Sequence, residues 1–169
     1  MSKPFPLGMI MKDGKNKIPT EFENNRVVEV CTLLNQENCA YLIAGGIALN
    51  LHGILRATKD IDLLIPRNQK NTEKILKALS SLMLGIAKEL DAAKVTEKPF
   101  TIIGDIPRVD LLTIANKIKF EDAIQNAKIL KIGKIKIPYL SRKDLIKSKQ
   151  TDRLQDQADL ERLKAIRKK

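Results

Sequence analysis

The sequence contains no tryptophan, and aromatic residues make up only 4% of its 169 residues. The core must therefore consist of aliphatic side chains, and an aromatic platform that stacks on single-stranded bases is not expected. No apolar run is long enough to cross a bilayer, and the N-terminal segment lacks the apolar stretch of a secretory signal peptide. The two cysteines, Cys31 and Cys39, have no metal or redox spacing and are predicted to be buried thiols. We therefore expect a cytoplasmic protein without a membrane segment.

Positive charge is abundant. The 31 lysines and arginines exceed the 20 acidic residues, which gives a net charge of +11. Such an excess attracts polyanions such as nucleoside triphosphates, RNA or an acidic partner protein, although a basic surface that serves only solubility would carry the same charge. A hairpin predicted over residues 128–139 would expose one basic face, lined by Lys128, Lys131, Lys134 and Lys136.

Glycine and proline are concentrated in residues 1–19, which predicts a flexible arm, and residues 20–169 are expected to form one domain. Thr20 would cap a first helix that ends near Asn38. We predict strands at 41–44 and 59–65, hairpins at 100–112 and 128–139, and helices at 47–51, 71–90 and 120–127, the second of which Gly85 could break. A helical tail capped by Ser141 follows. This order predicts an α/β (α+β) fold in which helices flank a small mixed sheet.

Two aspartates, Asp60 and Asp62, lie in an apolar segment predicted to be a strand. Residues i and i+2 of a strand point to the same face, so both carboxylates would lie close together beside apolar neighbours. Repulsion and desolvation then favour protonation of one of them unless a cation lies between them. Mg²⁺ prefers oxygen ligands and commonly uses one or two carboxylates plus substrate phosphates. In the alternative interpretation, Asp60 ends a loop and Asp62 faces water.

Two other features accompany this pair. Gly45 and Gly46 end an apolar strand and open a helix, where backbone N–H groups and the lack of side chains suit a phosphate, although a tight turn would need the same glycines. Asp110 lies within an apolar strand, where an acid must be paired or bound to metal. A neighbouring basic residue such as Arg108 is the simpler partner for Asp110.

Together these features resemble a known family. Residues 44–53 and 56–62, with the third acid at Asp110, are similar to the nucleotidyltransferase superfamily that includes DNA polymerase beta, and within it to the minimal nucleotidyltransferases of abortive-infection toxin type. The resemblance implies that Gly45 and Gly46 bind the triphosphate. It also implies that Asp60, Asp62 and Asp110 bind two Mg²⁺ ions, with Asp110 as the base for the acceptor. Relatives carry serine where this chain has Gly46, which removes one phosphate contact.

The C-terminal segment extends the resemblance. Lys149, Arg153, Asp156 and Asp159 are similar to the family pattern in which the lysine approaches the nucleotide. We expect a structural role for the two aspartates, paired with an arginine such as Arg56, which is otherwise expected to touch phosphate. The single histidine, His52, is also expected to be structural.

These features predict a magnesium-dependent enzyme that transfers a nucleoside monophosphate from a triphosphate such as ATP to an acceptor hydroxyl. RNA, a small molecule or a partner protein could carry that hydroxyl, and the last would fit a toxin–antitoxin pair. The alternative is a binding protein on the same fold, such as a toxin–antitoxin component or a nucleic-acid-binding module, that turns nothing over.

Overall fold

The computed structural model describes residues 25–82, 85–104 and 107–166. The predicted arm over residues 1–19 and the Thr20 cap lie outside these residues. The helices are α1 (Asn25–Gln36), α2 (Gly45–Leu51), α3 (Gln69–Ser80), α4 (Ala92–Glu97), α5 (Phe120–Ala123), α6 (Arg142–Ser148) and α7 (Leu154–Ala165). The strands are β1 (Leu42–Ile43), β2 (Asp60–Leu64), β3 (Phe100–Ile103), β4 (Arg108–Leu112), β5 (Lys128–Ile132) and β6 (Ile135–Tyr139).

The six strands form one mixed sheet in the order β3-β4-β2-β1-β6-β5. β2 lies parallel to β4 and antiparallel to β1, while β3 and β5 are edge strands that each pair antiparallel with one neighbour. The predicted α/β fold with a small mixed sheet is confirmed. The neighbouring interior strands β2 and β4 carry the aspartates singled out in the sequence.

The core between the sheet and the helices is aliphatic, as the scarcity of aromatic residues requires. Its fully buried side chains come from α1, α3 and the central strands, and include Leu34, Leu42, Leu63, Leu79 and Leu111. Alternation explains how β2 serves both core and site, because Ile61 and Leu63 are buried while Asp60 and Asp62 point to the opposite face. None of the helices in the described part of the chain combines the length and apolarity needed to cross a bilayer.

The helix predicted over residues 71–90 is shorter than expected. α3 ends at Ser80, and a separate 3₁₀ turn at Ile86–Glu89 begins after Gly85, whose φ of +85° is incompatible with a continuous helix through this position. The sequence pattern also missed α4, which begins after Asp91, whose carboxylate accepts a hydrogen bond from the N–H of Ala93 at 2.9 Å. Six residues are too few to show a helical period, so the cap was the available signal.

The lysines of the β5–β6 hairpin are all exposed, but they do not share one face. Lys131 and Lys136 are directly paired, whereas alternation places Lys128 on the opposite face, and Lys134 lies in the turn. The prediction of a single basic face was therefore wrong, because a spacing of three residues changes sides in a strand. The Ser141 cap is confirmed, since its hydroxyl accepts from the N–H of Asp144 at 3.1 Å.

Candidate active site

Three aspartates lie on one face of two adjacent parallel strands. The register pairs Asp62 directly with Asp110 and Asp60 with Arg108. Because each strand presents every second residue to the same side, all four side chains lie on this face. Asp60 is 42% exposed at the start of β2, while the side chain of Asp110 is only 13% exposed. Asp62 and Asp110 are therefore paired side by side, and Asp110 is much less exposed than Asp60.

Gly45 lies directly against the carboxylate of Asp62. The N–H of the preceding residue, Ala44, donates to the carbonyl of Asp62 at 2.9 Å, which ties the start of α2 to β2. Gly45 has a φ of +56°, and a Cβ atom there would lie 1.8 Å from Oδ2 of Asp62. Glycine is therefore required here for two reasons, the left-handed backbone and the lack of space.

Gly46 faces a different side chain. A Cβ atom at this position would lie 2.9 Å from Cβ and 3.0 Å from Oγ1 of Thr58, in the loop that leads to β2. The serine found in relatives would not fit here unless Thr58 moved. Thr58 thus occupies the space beside Gly46 and supplies the hydroxyl nearest to this backbone position.

Burial is the main reason that the pKa of Asp62 rises from 3.8 to about 6. The neighbouring Asp110 raises it further, the ammonium of Lys149 opposes the rise, and Asp60 adds to it. The direction of this shift is the one expected for paired carboxylates beside apolar neighbours, but the stronger repulsion comes from Asp110 on β4 rather than from Asp60. A cation placed between Asp62 and Asp110 would be stabilised.

Arg108 is the partner of Asp110. Its Nε donates to Oδ1 and its terminal nitrogen to Oδ2, both at 2.9 Å, and its Nε lies 3.8 Å from Oδ1 of Asp60. The hydrogen bonds to Asp110 raise the pKa of Arg108, so its charge is constant. The simpler partner considered for Asp110 is thus the one that the structure contains. This guanidinium bridges two of the three predicted metal ligands.

The donor set of this face fits Mg²⁺ in its chemistry, because it consists of carboxylate oxygens that repel one another. In the described part of the chain, however, no three acidic, histidine or cysteine side chains are arranged to hold a metal ion. Both oxygens of Asp110 accept from Arg108, so a metal ion held by all three aspartates would share this carboxylate with the guanidinium.

The C-terminal helices close the site from above through an ionic network. Lys149, at the end of α6, donates to Asp156 at 2.9 Å and lies 3.2 Å from Asp159. Asp159 is fully buried on α7 and also binds Arg56, from the loop before β2. The structural role expected for Asp156 and Asp159 is in keeping with these contacts. Arg56 forms an ion pair with the buried Asp159. Lys149 lies close enough to Asp62 to lower the pKa of its carboxyl.

A cleft of about 460 Å³ lies over the aspartates. Its floor includes Gly45, Asp62 and Asp110, and its roof includes Lys149 and the loop to α7. The remaining residues that line it are Ala44, Pro99, Phe100, Leu112, Ile114, Ala115, Asn116, Ser148, Thr151, Arg153 and Asp156. Asp60, Gly46 and Arg56 lie beside the cleft and do not line it.

The sequence pattern missed the apolar end of this cleft. Pro99, Phe100, Leu112 and Ile114 form a wall beyond Asp110, and Asn116 joins it to the roof by donating to the carbonyl of Gln150 at 3.0 Å. Alternation along β4 already places Leu112 on the face of Asp110. The presence of Phe100 on that face follows only from the pairing of β3 with β4, which periodicity does not provide.

The contacts of His52 are structural. Its Nε2 lies 2.8 Å from the carbonyl oxygen of Leu140, and its ring packs edge-on against Tyr139 with the centroids 5.2 Å apart. Burial lowers the pKa of His52, which favours the neutral ring. His52 is not a cleft residue, in keeping with the structural role expected for it.

An Asp-x-Asp strand paired with a parallel strand that carries a third aspartate, beside a Gly-Gly helix start, defines the nucleotidyltransferase class of site. The chain belongs to the nucleotidyl transferase AbiEii toxin family of the type IV toxin–antitoxin system, whose model matches residues 32–152. The resemblance inferred from the sequence is thereby confirmed. The matched span includes Gly45, Asp62, Asp110 and Lys149. No curated protein matches the chain.

Replacing Gly45 by alanine should destabilise the protein and displace the Asp62 carboxylate. The left-handed backbone alone costs about 1 to 2 kcal/mol for a residue with a side chain, and the clash with Asp62 adds to this. Gly53→Ala is the matched control, because Gly53 has a φ of +86° but no atom within 4 Å of the added Cβ. Chemical denaturation of both variants measures the difference, and equal losses would contradict the contact.

Asp159→Asn should lower the free energy of unfolding by about 3 kcal/mol, since breaking a buried ion pair leaves the remaining charges uncompensated. Asp159 is fully buried between Arg56 and Lys149. Asp152→Asn is the control, because it changes the same residue type at an exposed position of the same segment. Urea denaturation compares them, and a loss no greater than that of the control would show that the network does not hold the tail.

Asp62→Asn should stabilise the metal-free protein at neutral pH. The folded state holds a proton on Asp62 up to a pH of about 6, whereas the unfolded carboxyl loses it near 3.8. Stability therefore falls as pH rises between these values, and the neutral amide avoids a loss of about 3 kcal/mol. Thermal unfolding with chelator should show a gain at pH 7.5 that disappears below pH ~4. An equal gain for the exposed Asp122→Asn, or none at pH 7.5, would contradict this.

Proposed function

We propose that this chain is a magnesium-dependent nucleotidyltransferase that transfers a nucleoside monophosphate from a nucleoside triphosphate to an acceptor hydroxyl. One observation carries the proposal: Asp62 and Asp110 face each other in register on the floor of a cleft, directly beside the backbone of Gly45. Membership of a nucleotidyl transferase family supports the same reaction.

The proposed site divides into a phosphate side and an acceptor side. Gly45 lines the cleft at the start of α2, where a triphosphate would bind, and Lys149 supplies a positive charge from the roof. Asp60 and Asp62 would hold one Mg²⁺ ion, and all three aspartates would hold a second. When bound, these ions would neutralise the leaving pyrophosphate and lower the pKa of the acceptor hydroxyl.

The chain's own residues would position the reactants. The acceptor oxygen forms a bond to the α-phosphorus, the bond to the β-phosphate oxygen breaks, and the hydroxyl proton passes to Asp110. Arg108 donates one hydrogen bond to each oxygen of Asp110, and each oxygen keeps a second lone pair for the proton. Arg108 is 38% exposed and lies at the rim, so it can turn towards solvent or substrate. Orientation and fixed charges would account for most of the rate.

The acceptor and the biological role are part of the same proposal. The family is described as a toxin of a type IV toxin–antitoxin system, which makes growth inhibition and an antitoxin partner reasonable for this chain. The net charge of +11 favours RNA as the acceptor, with the exposed lysines of the β5–β6 hairpin as one surface for its phosphates. Such binding would weaken steeply as salt concentration rises.

The test is calorimetric titration of the protein with each of the four nucleoside triphosphates and Mg²⁺. We expect magnesium-dependent binding by the wild type and its loss in Asp60→Ala/Asp62→Ala, because the Mg²⁺ ion that accompanies the triphosphate would lose its pair of carboxylate ligands. Asp122→Ala/Asp152→Ala is the matched control, since it removes two exposed aspartates elsewhere.

Turnover is then measured with labelled triphosphate and cellular RNA as acceptor. Transfer of label by the wild type and its loss in Asp62→Asn would support an enzyme. Transfer that persists in Asp62→Asn would contradict the assigned site. Triphosphate binding without transfer to RNA, protein or small molecules would favour the alternative, a binding protein on the same fold.

A further inference from the structure

Apolar side chains continue the floor of the cleft beyond Asp110. β3 and β4 pair antiparallel, with Ile102 opposite Asp110 and Phe100 opposite Leu112. Alternation therefore places Phe100, Ile102 and Leu112 on the same face of the sheet as Asp110. Phe100 is 56% exposed and Ile102 is 49% exposed, although apolar residues on a sheet face are usually covered.

Phe100 differs from the other aromatic residues of the described chain. Tyr41 and Phe120 are buried in the core, and Tyr139 packs against His52. Among the phenylalanines and tyrosines that the structure describes, Phe100 alone is more than half exposed and lines the cleft. Its ring is therefore available to a ligand that occupies the cleft.

The order of elements across the sheet places Phe100 on the acceptor side. The phosphate-binding backbone at Gly45 follows β1, and the strands then run β1, β2, β4, β3. Asp62 on β2 and Asp110 on β4 lie between Gly45 and Phe100. Phe100 is two residues along β3 from the partner of Asp110, a distance of ~7 Å at the rise of a strand. A group bonded to the hydroxyl at Asp110 would reach this ring.

We propose that Phe100, supported by Leu112, is an acceptor platform on which the unpaired terminal base of a single-stranded nucleic acid stacks. This inference rests on the proposed function, since that function places the acceptor hydroxyl at Asp110. Every base has a π-face, so stacking on one ring fixes the end of the strand without selecting its sequence. Stacking would present the terminal ribose hydroxyl to Asp110.

Charge near the platform suits a polyanionic acceptor. Arg153 lines the cleft with a side chain that is 78% exposed, and the exposed Lys98 precedes Phe100 by two residues. These cations lie where the phosphates behind a stacked terminal base would pass. Arg153 contacts Asp156 at 4.0 Å but remains largely exposed, and Lys98 is exposed, so both could still approach phosphates, which favours nucleic acid over a partner that covers only apolar surface.

The lack of tryptophan makes a direct test possible. Phe100→Trp introduces the only indole in the chain, and stacking of a base on it quenches its fluorescence. Ile129→Trp is the matched control, because Ile129 is 57% exposed on β5, the opposite edge strand. The probes are an RNA hairpin with a short single-stranded end, its DNA counterpart, the same hairpins with blunt ends, and the triphosphates alone.

We expect the single-stranded ends to quench Phe100→Trp but not Ile129→Trp, and blunt ends to quench neither. Phe100→Ala should weaken binding of the single-stranded end about tenfold, on the scale measured for loss of one stacked base. Its calorimetric affinity for triphosphate with Mg²⁺ should equal that of the wild type. Quenching by either RNA or DNA ends supports the platform.

Three results would overturn the platform: unchanged binding by Phe100→Ala, quenching of Phe100→Trp by triphosphate alone, and dissociation of a dimer in Phe100→Ala seen by sedimentation. Quenching by triphosphate alone would mean that the ring of Phe100 stacks on the base of the triphosphate. Dissociation of a dimer would mean that Phe100 contacts a second copy of the chain. The proposed function itself fails if the wild type shows no magnesium-dependent binding of triphosphate, and this result is distinct from the three above. Thermal unfolding confirms that each variant is folded.

Discussion

The forced proximity of Asp62 and Asp110 is the interaction on which the rest of this structure depends. Parallel pairing of β2 and β4 places the two carboxylates side by side, and burial makes their joint ionisation unfavourable. The surrounding chain compensates with cations from two directions, Arg108 from β4 itself and Lys149 from the end of α6. A site built in this way is costly for folding and well suited to binding a cation.

The C-terminal helices hold Lys149 in place above the two aspartates. Lys149 is itself buried, so it needs the carboxylates of Asp156 and Asp159, and Asp159 in turn binds Arg56 near the start of β2. The network links the roof of the cleft to its floor through charges that have little access to water. Removing one partner of such a pair is costly, because it leaves the other charge buried without compensation. Gly45 completes the arrangement, because only a residue without a side chain lets α2 begin against Asp62.

Much of this site could be predicted from the chain alone. The i, i+2 spacing of Asp60 and Asp62, the Gly-Gly pair and the isolated acid at Asp110 each predicted a local arrangement that the structure contains. Local patterns failed where the period was short or ambiguous. α4 has too few residues to show a period, and the lysines spaced by three change sides in the β5–β6 hairpin.

The sequence by itself determined the strands, the faces on which the acids lie and the family, because alternation and short motifs are local properties of the chain. Only the tertiary structure decided which residues meet. It placed Phe100 on the same face as Asp110, set Asp62 directly beside Asp110 and made Asp159 the partner of Arg56. These contacts depend on strand register and on how helices far along the chain pack over the sheet, and neither is encoded in the spacing of neighbouring residues.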